Sequence, residues 1–321
     1  MVLSSRFFSF ITLKHNRSGS STRLFSLFIF TTFISGYQQL FGQSTFAATD
    51  PFQAYYDARQ WFSEGNYGLS YPVFKDLERK ISSRELPDRS VQYDEVLFYT
   101  LACELMQDNI GAERHAQAYL AGNVSSAYKG QMGYYLGTHY FRKQQYAEAI
   151  EAFGHSTAEN LSPAQRSEMQ FVLGYSLLTQ RKFKEAKAQL NEVRDKPDSR
   201  HYVDANYYYG LLAYNDGQYR EALRCFEIAG TSSVYQPLAP YYTASIQYAL
   251  GNKAKGLELA EAALKSGNQF YELELNQLIG HAYFEKGDYR TATPFLEKYV
   301  NGSAKVNRAD LYELAYCYYQ L

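Results

Sequence analysis

The sequence repeats itself with a period near 35 residues over most of its 321 positions. A small residue recurs inside aromatic-rich runs, and successive copies lie 34 to 37 residues apart after a first interval of 44. The eight copies are Ala58, Ala102, Gly137, Gly174, Gly210, Ala244, Gly280 and Ala315. Such a repeat predicts a stack of similar helix pairs, because one pair alone cannot bury its apolar face.

Three runs show the repeat most clearly: YYLGTHYFRKQQYAEAIEAF at 134–153, YYYGLLAYNDGQYREALRCF at 207–226 and LIGHAYFEKGDYRTATPFL at 278–296. They resemble the tetratricopeptide repeat, in which a small residue on a first helix lets a second helix approach closely. In that family a large residue follows three positions later, and a polar turn, an aromatic residue and an alanine come next. The resemblance implies an all-α fold, a right-handed superhelical solenoid of antiparallel helix pairs with about seven and a half repeats over residues 49–321.

The units match this pattern to different degrees. The unit around Gly137 has Tyr140, Tyr146, Ala149 and Phe153 at the positions that the family implies. The units around Gly174, Gly210 and Gly280 match in the same way. Three units place another residue where the packing alanine is expected, namely Ser70, Arg114 and Gly256.

Residues 1–48 have the features of a signal peptide or N-terminal export segment. An apolar run of 11 residues at 24–34 follows Arg23, and small residues precede the first acidic residue, Asp50. The run is long enough for the hydrophobic part of a signal peptide and too short to span a bilayer comfortably. An uncleaved N-terminal anchor is the alternative interpretation.

The last unit stops at Leu321, inside its first helix, with the apolar and aromatic ending LYELAYCYYQL. A repeat array needs a polar terminal element to stay soluble. We therefore expect the array to be truncated at its C-terminal end, with further repeats or another domain missing.

Charge and motif content argue against several classes of function. The formal net charge is −1, and the chain from Asp50 onward carries 28 basic against 33 acidic residues, which gives no electrostatic reason to expect nucleic acid as a partner. No nucleotide-binding, hydrolase or metalloprotease motif occurs, and Cys103, Cys225 and Cys317 are more than 90 residues apart. We expect no enzyme activity, no catalytic residue, no metal site, no cofactor, and no membrane insertion once the signal is removed.

The most informative feature is a row of aromatic residues three positions before the small residue. Seven of its eight positions are aromatic, and we call these seven the aromatic ladder: Tyr55, Tyr99, Tyr134, Phe171, Tyr207, Tyr241 and Tyr312. A companion row of large residues stands four positions after the small residue. Since positions seven apart return to the same side of a helix, both rows share one side of the first helices. We expect a further row to be buried between repeats: Tyr56, Tyr135, Tyr208 and Tyr242.

The aromatic ladder has two interpretations. In the first, its side chains pack one helix against another. In the second, they line a concave groove that binds an extended peptide or a partner helix, since tyrosine offers contact area and a hydroxyl at low entropy cost. Binding of an acidic C-terminus, as in some members of the family, is not supported, because Arg59, Thr138 and Ser245 occupy equivalent positions.

Together these features predict a non-enzymatic protein–protein interaction scaffold that binds another protein through the aromatic ladder. Its expected location is the periplasm or cell envelope of a Gram-negative bacterium, because the chain resembles exported tetratricopeptide proteins of Bacteroidota. Two alternatives stay open: a glycan-binding protein associated with the outer membrane, and the scaffold region of a larger multidomain envelope protein or enzyme.

Overall fold

The computed structural model describes residues 50–86, 92–123 and 125–321, and this part of the chain contains fifteen α-helices and no strand. The all-α fold is confirmed. The predicted export segment, 1–48, lies outside the described residues. The helices are α1 (Pro51–Ser63), α2 (Tyr67–Ser82), α3 (Tyr93–Met106), α4 (Ala112–Ala121), α5 (Ser126–Arg142), α6 (Tyr146–Phe153), α7 (Pro163–Thr179), α8 (Phe183–Arg194), α9 (Tyr202–Asn215), α10 (Tyr219–Ala229), α11 (Ala239–Ala249), α12 (Lys253–Ser266), α13 (Glu272–Glu285), α14 (Tyr289–Gly302) and α15 (Arg308–Gln320).

The helices form the predicted pairs, each made of a first and a second helix. The chain divides into two compact units, the first ending at Asn160 and the second running from Leu161 to Leu321. The first unit contains the pairs α1/α2, α3/α4 and α5/α6. The second unit contains four pairs, from α7/α8 to α13/α14, and the single first helix α15. Seven pairs and one further first helix agree with the predicted number of repeats.

In each helix pair, the small residue of the first helix lies where the two helices come closest. A Cβ atom built on Gly137 would stand 2.6 Å from a ring carbon of Phe153, and one built on Gly280 would stand 2.7 Å from Cγ of Leu296. Real Cβ atoms essentially never come so close to another heavy atom. Close packing of these helices therefore requires glycine, as the family pattern implied.

The turn inside each pair has a left-handed residue seven positions after the small residue, in six of the seven pairs. After α9, Gly217 adopts φ +73° and donates its N–H to the Tyr214 carbonyl, while Gln218 donates to the Ala213 carbonyl at 2.8 Å. These two bonds satisfy carbonyl groups that the helix end leaves unpaired. Backbone atoms alone define the turn, so Gln144 and Arg181 take the same role with φ of 61° and 60°.

Two of the repeats depart from the predicted pattern. Helix α4 begins ten residues after Ala102, whereas α6 begins nine residues after Gly137. Arg114, which stands where the family pattern has its packing alanine, is exposed, and Ala112 and Ala116 are buried instead.

The other departure is Ala315, which is exposed because no second helix pairs with α15 among the residues that the structure describes. The described helices also include none that is both long enough and apolar enough to cross a membrane.

Alanine substitutions at two helical glycines should have opposite effects. Gly137→Ala forces a methyl group into the Phe153 ring, so we expect the free energy of unfolding to fall by about 1–3 kcal/mol. Gly68 lies inside α2 with no atom within 4 Å of an added Cβ. There we expect Gly68→Ala to raise the free energy of unfolding by about 0.5–1 kcal/mol, because alanine loses less backbone freedom than glycine in a helix. Urea unfolding measures both, and an equal effect of the two changes would contradict the close-approach argument.

Candidate binding face on the first helices

The structure buries most of the aromatic ladder. Tyr55, Tyr134, Phe171 and Tyr207 are buried, and Tyr207 keeps only 1% of its surface exposed. Tyr99 and Tyr241 are partly buried, while Tyr312 is 63% exposed. A partner could not reach the four buried rings without displacing the helices around them.

Ring contacts account for this burial. In the first unit, the ring of Tyr99 stacks on Phe74 with centroids 4.9 Å apart. In the second unit, Tyr207 stacks on Tyr235 at 4.2 Å, and Tyr241 lies 4.9 Å from Tyr271. Of the two interpretations, helix–helix packing fits these contacts. Partner binding at the ladder stays a prediction, which concerns chiefly Tyr312 and the partly buried rings.

The further tyrosine row is buried in three of its four members. Tyr135, Tyr208 and Tyr242 are buried as expected. Tyr56 is 59% exposed, which differs from the expectation. Tyr56 is exposed, unlike the other three tyrosines, because no helix of the described residues precedes α1 and covers that side.

The exposed part of the first-helix face is polar. Beside the aromatic rows, residues one and five positions after the small residue are exposed or partly exposed in some repeats, and we call four of them the polar rim: Arg59, Arg142, His281 and Glu285. Sequence reasoning missed them because it selected positions by their aromatic side chains. The signal was present in the repeat alignment, where these two positions hold charged side chains in several units: Arg59, Arg142, His281 and Glu285.

In the first unit, Arg59 lies across two rings of the aromatic ladder. Its guanidinium carbon is 5.5 Å from the centroid of Tyr55 and 5.7 Å from that of Tyr99. Arg59 Nε donates to the Tyr99 hydroxyl at 3.1 Å, and Nη1 lies 3.9 Å from a carboxylate oxygen of Glu95. Burial raises the pKa of the Tyr55 phenol well above its usual value. The guanidinium is thus held against both rings while 44% of the Arg59 side chain stays exposed to solvent.

Arg142 lies on the same face, at the end of α5. Its Nη2 donates to the Leu105 carbonyl at 2.9 Å and lies 3.3 Å from Asp108 Oδ1. The fully buried His139 lies between these groups, with Nδ1 2.9 Å from the Leu105 carbonyl oxygen and Nε2 2.9 Å from Glu113 Oε1. These contacts hold the turn between α3 and α4 against α5.

In the second unit, the polar rim carries a histidine between two carboxylates. His281 Nδ1 is 2.7 Å from Glu313 Oε1, and Nε2 is 3.5 Å from Glu285 Oε1. The Tyr248 hydroxyl and Lys253 both donate to Glu285. The hydrogen bond from Lys253, followed by that from Tyr248, lowers the pKa of the Glu285 carboxyl. This part of the face therefore presents aromatic rings together with the ionised carboxylate of Glu285.

The face offers aromatic contact and hydrogen bonding, as at Arg59 and Tyr99. The three cysteines are buried, and burial raises the pKa of the Cys103 thiol to about 12, which keeps it unreactive. Across the described ranges, no three histidine, cysteine or acidic side chains are grouped so that they could hold a metal ion.

Solved structures similar to this chain are tetratricopeptide-repeat proteins. One is the C-terminal part of such a protein from Cytophaga hutchinsonii, with a TM-score of 0.48 and 17% identity over 81% of this chain and 99% of that chain. Another, from Parabacteroides merdae, has a TM-score of 0.41 and 13% identity over 84% of this chain and 99% of that chain. The apo form of RapI has a TM-score of 0.49 and 13% identity over 79% of this chain and 77% of that chain. No family model matches the chain, and no curated protein matches it in sequence.

The likeness to these structures is one of fold.

Acid should weaken the contact that holds the α3–α4 turn. Lys143 and, next, His139 hold the pKa of Glu113 at about 2, below its ordinary value of 4.5. Its stabilising contribution is therefore present above about pH 4.5 and is lost as the pH falls toward 2. We expect Glu113→Gln to lower the free energy of unfolding by about 1 kcal/mol at neutral pH.

Urea unfolding of the wild type and of Glu113→Gln at a series of pH values measures this effect. The difference between the two should shrink steadily below pH 4.5. Glu258→Gln is the control, because Glu258 pairs only with the neighbouring Lys255 on α12. A difference that stayed constant down to pH 3 would mean that the Glu113 charge is not the stabilising feature.

Proposed function

We propose that this chain is a non-enzymatic scaffold that binds a peptide segment or helix of another protein through the face of its first helices. The single observation that supports this proposal is the polar rim beside the aromatic rows. Arg59 in the first unit, and Tyr248 with His281 in the second, are held in place by neighbouring helices and remain partly exposed.

Rigid presentation is what makes such a face suited to binding. A side chain already fixed by packing loses little conformational entropy when a partner arrives. Tyrosine and arginine are also the residue types that contribute most to binding at interfaces, since each combines a flat contact surface with hydrogen-bonding groups. Tyr312 offers such a surface on α15, and Arg59 offers one on α1.

The place of action belongs to the same proposal. The basic and then apolar pattern of residues 1–48 supports export, and the aromatic style of the repeats resembles exported proteins of Bacteroidota. We therefore infer an adaptor of the periplasm or cell envelope of a Gram-negative bacterium.

Position-specific cross-linking tests the binding face. A photoreactive amino acid replaces Arg59 or Tyr312 on the first helices, and in matched controls it replaces Leu69 on α2 or Val234 in the turn after α10. Leu69 and Val234 are 57% and 50% exposed, so access to reagent is similar to that at Tyr312. We expect a discrete cross-linked protein from the two first-helix positions and none from the controls, read by mass spectrometry of an envelope fraction.

The same experiment can contradict the proposal. Equal cross-linking from all four positions would indicate non-specific contact, and cross-links confined to Leu69 or Val234 would place binding elsewhere. Melting curves of each variant confirm that the substituted proteins remain folded.

Export is tested separately with a reporter fusion. Residues 1–49 are joined to an enzyme that is active only outside the cytoplasm, and we expect activity in a Gram-negative host. Replacing Phe28 and Phe30 by aspartate interrupts the apolar run and should abolish the activity. Activity that persists after this change would argue against an export signal at 24–34.

A further inference from the structure

A concave surface lies in the first unit, away from the first-helix face. It is a cavity of about 310 Å³ between the second helices α4 and α6, with α5 beneath it. Leu120 of α4, Leu136 of α5 and Ala152 of α6 form its apolar floor, and all three are buried. This floor suits an aliphatic chain, because each methylene group that leaves water for such a site adds to binding.

Glu148, Glu151 and His155 lie at the rim of the cavity, and the two glutamates are unpaired among the described residues. Glu148 and Glu151 stand one helical turn apart on α6, and both are exposed. Neither carboxylate forms an ion pair or a hydrogen bond with any residue that the structure describes, whereas Glu113 close by on α4 is paired with Lys143. Two free carboxylates at the mouth of an apolar cavity favour a ligand that carries a positive charge.

Polar groups that line the cavity also favour a positively charged ligand. Gln117 Nε2 donates to the Tyr140 hydroxyl at 2.9 Å, which leaves the amide oxygen of Gln117 without a donor in the described structure. Tyr140 has a raised pKa, first because of burial and then because of the charges of Glu113, Glu148 and Glu151. The negative field of the two rim glutamates thus reaches into the cavity.

The equivalent second helix of another repeat lacks this arrangement. On α12, Gly256 takes the place of the packing residue Ala149, so Lys255 and Glu258 correspond to Glu148 and Glu151. Lys255 Nζ lies 2.8 Å from Glu258 Oε1, and the pair neutralises itself. The free pair on α6 is therefore not a general property of the repeat.

We propose that this cavity binds the side chain of a lysine or arginine presented by a partner protein. The aliphatic stem lies along Leu120, Leu136 and Ala152, and the cationic end lies between Glu148 and Glu151. Exposed side chains surround the opening of the cavity. A basic side chain of the partner can therefore enter the cavity while the partner's backbone stays outside. The cavity shares no residue with the polar rim, so this inference does not depend on the function proposed for the first-helix face.

Binding of small probes to the full chain tests the inference. The probes are Nα-acetyl-lysine methylamide, its norleucine analogue, which keeps the stem without the charge, and free 1,5-diaminopentane. Saturation-transfer NMR with competition measures each affinity. We expect the lysine probe to bind at least about tenfold more tightly than the norleucine probe, since two charge-assisted contacts are lost with the charge.

Variants locate the binding to this cavity. The double change Glu148→Gln and Glu151→Gln should weaken the lysine probe by the same tenfold factor and leave the norleucine probe unchanged. The control, Glu258→Gln with Glu261→Gln, removes two carboxylates at the same spacing from α12 and should change neither affinity. Glu148 and Glu151 make no contact that folding depends on, and circular dichroism melting checks that both double variants are intact.

Three results would overturn the inference. The norleucine probe could bind as tightly as the lysine probe, the Glu148/Glu151 variant could bind lysine unchanged, or only the free diamine could bind. The last result would assign the cavity to a free amine instead of a protein side chain. The cross-linking from Arg59 and Tyr312 is independent of all three results.

Discussion

The close approach of the two helices in each pair is the contact on which the remaining structure depends. At Gly137 and Gly280 the second helix comes so near that even a methyl group would collide with Phe153 or Leu296. With the pair drawn together, large side chains on either side of the small residue have space only between neighbouring helices. This is why the rings of Tyr207 and Tyr235 stack at 4.2 Å inside the second unit. The small residue thus decides both the pairing of helices and the burial of the aromatic rows.

Much of this architecture could be predicted from the sequence, because the determining features are local and repeat. Small residues, polar turns and packing alanines recur at fixed spacing, and the structure places Gly174, Gly210 and Ala244 at helix contacts as predicted. The pattern fails at Arg114, because the turn between α3 and α4 differs from the others and has left-handed residues at Asp108 and Gly111. A pattern with fixed spacing cannot register such a change in one turn.

Exposure along the aromatic ladder was harder to predict. Helical periodicity gives the side of the helix on which Tyr207 and Tyr312 lie, and that side is the same. It does not give the distance to the next helix, which leaves one ring buried and the other open. The polar rim was missed for a related reason: Arg59 and His281 acquire meaning only from the rings and carboxylates that surround them in space.

The turn inside each pair limits how such a chain can change in length. Its left-handed residue comes seven positions after the small residue in six pairs, as at Gly217 and Arg181. A change in this turn moves the face with which the second helix packs. Helix α4 shows the outcome, since its buried Ala116, Tyr119 and Leu120 stand two positions later in the repeat than Ala149, Ala152 and Phe153 of α6. A residue added between pairs rotates nothing inside a pair. Across the long first interval of 44 residues, Gly65 keeps its place seven positions after Ala58, and the added length lies in the 16-residue helix α2 and the connection that follows it.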